Sequence, residues 1–130
     1  MKHISFNPRF VNKAGDDLID GKIHTIRINY DWWKPYEGKE VALFTWEGKP
    51  YGKGSTHKVF CVKRILSVQE VWMSSCCLFY TTADMALGTF IKSFHLMEND
   101  GFQSLQAFHR WFNKYKPGKM AILHFTDFQY

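Results

Sequence analysis

Apolar and polar positions alternate through residues 23–28, which predicts a strand. On it Ile23, Thr25 and Arg27 project to one side and His24, Ile26 and Ile28 to the other. Residues 40–46 (EVALFTW) form a second strong strand pattern, and residues 57–72 read as one long bent strand or two in sequence. Residues 3–6 suit an opening edge strand that Asn7-Pro8 ends, residues 77–80 a short strand, and residues 120–128 a closing one. Helical spacing occurs in three places. Residues 9–20 place Phe10, Val11, Ala14, Leu18 and Ile19 roughly on one face, although Gly15 weakens the middle. Residues 83–97 follow a cap at Thr81 or Thr82, and Ser104 caps a helix carrying Leu105, Phe108, Trp111 and Phe112. Between these lie an aromatic loop (Trp32, Trp33, Pro35, Tyr36) and a glycine-rich cationic turn over residues 47–54. The order predicts an α+β fold: an antiparallel sheet or small barrel with helices to one side.

Composition narrows the class. At 130 residues, 45% hydrophobic and 18% aromatic, the chain suits a single domain over residues 1–130 with a packed core. No apolar run approaches the ~20 residues of a membrane span, and no secretory leader pattern is present. A cytoplasmic protein with no membrane partner is expected. The three cysteines, Cys61, Cys76 and Cys77, suggest free thiols, since they are odd in number and two are adjacent. The six histidines are scattered and form no ligand motif, so neither a metal nor a cofactor is expected. The net charge of +5 favours anionic partners, nucleic acid first among them.

Two stretches carry a resemblance to a known family. Leu18-Ile19-Asp20-Gly21-Lys22-Ile23-His24-Thr25-Ile26-Arg27 resembles the ASCH signature, in which a Gly and a Lys precede a Thr-Ile-Arg strand. Asp100-Gly101-Phe102-Gln103-Ser104, with Phe108 and Trp111-Phe112, resembles the Asp-Gly-Phe and Phe-x-x-Trp-Phe pattern late in such chains. The resemblance spans nearly the whole chain. It implies a PUA-like small β-barrel of about five to six mostly antiparallel strands with flanking helices. It also implies a cleft at Lys22, Thr25 and Arg27 that binds RNA or a modified nucleoside. One bacterial branch of the family hydrolyses acetylated cytidine with a Lys, a Thr and a Glu, which here match Lys22, Thr25 and Glu98. This chain departs from that branch in its aromatic loop and its basic turn.

The chemistry those residues offer is specific. A threonine hydroxyl needs a base to attack a carbonyl, and a lysine serves when burial or a nearby cation lowers its pKa. Arg27 can provide that field or hold a carbonyl or phosphate, and Glu98 can return a proton to a leaving amine. A cofactor-independent amidohydrolase is therefore the alternative to a binding domain. For the ligand itself, Trp32 and Trp33 can stack on a base, and Lys49 and Lys53 can meet phosphates. A third possibility is a protein-interaction module that uses the Trp32-Trp33 loop as an apolar patch. Each residue also has a plain structural reading: Lys22 as a cation beyond a helix end, Thr25 as a β-branched strand residue, Arg27 paired with Asp16, Asp17 or Glu98. Only their joint spacing points to a cleft.

Overall fold

Seven strands and four helices form the α+β architecture of the computed structural model, which describes residues 1–130. The strands are β1 (Lys2–Ser5), β2 (His24–Ile28), β3 (Glu40–Glu47), β4 (Thr56–Arg64), β5 (Ser67–Met73), β6 (Phe79–Tyr80) and β7 (Gly118–His124). The helices are α1 (Tyr30–Trp33), α2 (Thr82–Leu87), α3 (Ser93–Asn99) and α4 (Leu105–Phe112). The strands make two sheets, ordered β1-β3-β4 and β2-β7-β5-β6, in which every pairing is antiparallel except the parallel pair β1 and β3. No helix is long and apolar enough to cross a membrane.

Burial explains the arrangement. Met120 to His124 of β7 are all buried, as suits a central strand covered on both faces, and β7 has β2 on one side and β5 on the other. In the other sheet Val41 to Phe44 of β3 are buried in a row. The β3–β4 register shifts between Leu43 and Phe44, leaving Phe60 as the extra residue of a bulge, and Phe60 packs edge-on against Phe6. Only Ile65 and Leu66 separate β4 from β5, so the chain turns a corner there from one sheet into the other. Ile65 is fully buried at that corner.

Four details differ from the sequence pattern. Residues 9–20 form no helix; a 3-10 turn at Pro8–Phe10 leads into a loop closed by a bridge between Val11 and Leu18. Asn12 is the cause: its side-chain oxygen accepts from the backbone N–H of Gly15 and Asp16, so the backbone is satisfied outside a helix. The aromatic loop is largely helical, α1 followed by a 3-10 turn at Lys34–Tyr36. The single helix expected over residues 83–97 is two, because Gly88 caps α2 in the left-handed conformation. Seven strands replace the five to six expected, and they divide between two separate sheets.

Three of these elements face a common hollow. The chain leaving β1, the tip of the β3–β4 hairpin and the end of α4 surround the outward face of β2.

Candidate functional site

Lys22 lies just before β2, and its side chain runs inward: only 2% of it is exposed. Its ammonium donates to the backbone oxygen of Asp100 at 2.6 Å and to Asp100 Oδ1 at 3.1 Å. It also sits 4.4 Å from the centroid of the Phe10 ring. The side chain can take this path because of Gly101. A Cβ there would lie 3.0 Å from Lys22 Cβ and Cδ, and the backbone φ of +84° further favours glycine. Asp100, Gly101 and Phe102 thus divide the work: a carboxylate for the ammonium, room for its stem, and a ring packed edge-on against Phe10 and Phe108. Burial pushes the Lys22 pKa below the ordinary lysine value, against the pull of Asp100.

Behind Asp100 the polar chain continues. Asn99 Nδ2 donates to the Tyr130 hydroxyl at 3.0 Å, and that hydroxyl is hydrogen-bonded to His24 Nε2, 2.6 Å away. His24 Nδ1 donates to Asp100 Oδ1 at 3.2 Å. A carboxylate oxygen only accepts, so the Nδ1 of His24 carries a hydrogen. Strand alternation turns His24 away from Thr25, as its place on β2 predicts, and into this buried chain.

On the outward face of β2, Arg27 Nε donates to Thr25 Oγ1 at 3.1 Å, and its terminal nitrogen donates to the Ser5 carbonyl at 2.6 Å. The second bond crosses from one sheet to the other. The guanidinium also lies 4.9 Å from the Phe6 ring centroid. Burial depresses its pKa, and it forms no ion pair.

Lys22, Thr25 and Arg27 all line one cavity of about 490 Å³. Asp100 lines it too, and Phe6, Trp46, Tyr51, Trp111 and Tyr115 supply aromatic surface. That volume lies within the ~300–1,000 Å³ of small-molecule pockets. An apolar wall with a few convergent polar groups is the composition expected of a ligand site.

The other candidates lie elsewhere. Glu98 is exposed and lines a separate hollow with Arg9, Asp20 and His95. The reason is helical geometry: Leu96 and Asp100, four residues apart, face inward, and Glu98 falls on the opposite side of that turn. Asp100, not Glu98, is the carboxylate beside Lys22. Trp33 is buried and Trp32 exposed, with the Lys2 ammonium 5.0 Å from the Trp32 ring centroid, and neither borders the cavity. Lys49 and Lys53 are exposed on the hairpin tip, whose Gly48, Pro50 and Tyr51 line the cavity in their place. The structural pairings weighed for Arg27 are absent as well; Asp17 instead meets Lys63 at 3.0 Å.

Sequence reasoning therefore missed Asp100 as the lysine's partner, Tyr130 and His24 as its support, and Trp46, Tyr51, Trp111 and Tyr115 as walls. Only the Asp100-Gly101-Phe102 triplet carried a visible signal. No protein-family model, curated protein or solved structure matches the chain.

Proposed function

We propose that this chain is an ASCH-type, PUA-like domain whose cavity binds a nucleobase, presented by RNA or by a modified nucleoside. The observation that carries the reading is the convergence of Lys22, Thr25 and Arg27 on one cavity walled by aromatic rings. Flat rings offer stacking surface to any base, worth ~1–3 kcal/mol per base, while the polar groups at the inner end select its edge. The two sheets, joined at the Ile65-Leu66 corner and bridged by Arg27 to Ser5, correspond in this reading to the halves of a PUA-like barrel. The net charge of +5 suits an RNA partner. Titration with a short single-stranded RNA and with N4-acetylcytidine, followed by tryptophan fluorescence, tests the reading. Stacking quenches emission, and Trp111→Ala weakens binding about 5- to 150-fold, the span of one stacked base. Unaltered emission with both ligands across the concentration range would count against it.

One observation favours hydrolysis as a second reading: the depressed pKa of Lys22 beside the Thr25 hydroxyl's cavity. In the reacting form Lys22, as the free amine, would take the proton of the attacking Thr25 hydroxyl and return it to the leaving amine as the amide bond breaks. Water would then cleave the threonine ester to release the acyl group. Arg27 Nε–H, bonded to Thr25 Oγ1, leaves the threonine hydrogen free to be given up. Release of cytidine from acetylcytidine, lost in Lys22→Ala, distinguishes turnover from binding.

A further inference from the structure

Arg27 is the cation of the cavity with no carboxylate at ion-pair distance; the Asp100 charge reaches it only from farther away. Lys22 and Asp100 are paired at 3.1 Å, so of the two cations and one carboxylate lining the cavity, the net positive charge resides on Arg27. Only two of its N–H groups reach protein acceptors, Thr25 Oγ1 and the Ser5 carbonyl, and both acceptors are neutral. A partly buried guanidinium without a carboxylate is costly unless an anion meets it. Its remaining donors, in a planar fork, match the oxygens of a phosphate. Thr25 adds to this, because its oxygen accepts from Arg27 and its hydroxyl hydrogen is free for an anionic oxygen.

We propose that Arg27 and Thr25 hold the monophosphate of a nucleotide, free or at the phosphorylated end of an RNA strand, with its base against the aromatic walls. This rests on the nucleobase reading above and names its ligand as anionic rather than as a neutral nucleoside. Lys22 has a different part. Its charge is already balanced by Asp100, so it lies by the base or sugar and contributes little to the phosphate's affinity.

Isothermal titration calorimetry on the whole chain with cytidine monophosphate, cytidine and inorganic phosphate tests the proposal. The monophosphate should bind at least ~10-fold more tightly than cytidine, as one charge-assisted contact gives. Inorganic phosphate should displace the monophosphate but not cytidine. Arg27→Gln should lower the affinity for the monophosphate by more than that for cytidine, so that the two ligands come to bind alike. Arg27→Lys, which keeps the charge without the fork, should fall between. The wild-type comparison stands alone if either variant fails to fold. A tetranucleotide with and without a 5′-phosphate separates the sources: tighter binding of the phosphorylated strand supports an RNA end, and weak binding of both beside tight monophosphate binding supports a free nucleotide. Equal affinities for the monophosphate and cytidine would overturn the phosphate assignment while leaving the base pocket standing. Monophosphate binding no tighter than that of inorganic phosphate, or no binding of either cytosine ligand, would remove the base pocket and this inference with it.

Discussion

Lys22 keeps a cation in the interior because three oxygen and ring contacts replace its water: the Asp100 carboxylate, the Asp100 carbonyl and the Phe10 face. Removing one member of such a pair is far worse than removing both, since it strands a buried charge. Asp100→Ala should therefore lower unfolding stability by ~3–5 kcal/mol. Lys22→Met in the same protein should restore a large part of that loss, as read from urea denaturation of the two single variants and the double variant. Additive losses in the double variant would show that the pair is not coupled. His24 and Tyr130 complete the arrangement from behind, so Asp100 has its one bonded carboxylate oxygen shared between a lysine and a histidine.

At the level of elements, local chemistry was legible where it was self-contained. Strand β2 showed in its alternation, and α4 in the spacing of Phe108 and Phe112 behind a serine cap. Ser104 Oγ accepts from the Ala107 N–H at 3.1 Å, so Ser104→Ala should cost ~1 kcal/mol in thermal or urea unfolding, with α4 the segment whose amide exchange accelerates. Loss of protection elsewhere but not in α4 would contradict this. What stayed hidden depended on competition or on distance. The apolar face over residues 9–20 was real enough to bury Phe10 and Leu18, but the Asn12 side chain took the backbone N–H groups that a helix would need. Lys22 and Asp100 lie 78 residues apart, and no spacing rule links them. The resemblance points to Glu98, and the sequence does not show which way α3 turns; its inward face, Leu96 and Met97, sets that orientation and brings Asp100 to Lys22.

Across the whole molecule, buried titratable groups predict a two-stage response to acid. His124 is fully buried, its Nε2 donates to Gln69 Oε1 at 2.9 Å, and its Nδ1 meets no donor or acceptor. Burial, with the nearby His24, lowers its pKa to about 4. A histidine whose folded pKa lies below the unfolded value near ~6.5 binds its proton more readily when unfolded. Its contribution is complete above that value and is lost as the pH falls from ~6.5 toward about 4, a few kcal/mol at most. Asp17, Glu37 and Asp84, whose pKa values are lowered by hydrogen bonds and, for Asp17 and Glu37, by a neighbouring lysine, add their losses only at lower pH. Urea titrations at closely spaced pH should show the first decline and its flattening in His124→Gln; the same slope in both proteins would assign it to other groups. The hairpin tip has a consequence of another kind. Trp46 and Tyr51 wall the cavity from a segment outside the packed centre, and Tyr51 is 87% exposed. Exchanging that tip reshapes one wall of the hollow while the interior is left alone, so the contour of the hollow and the stability of the fold are separately adjustable.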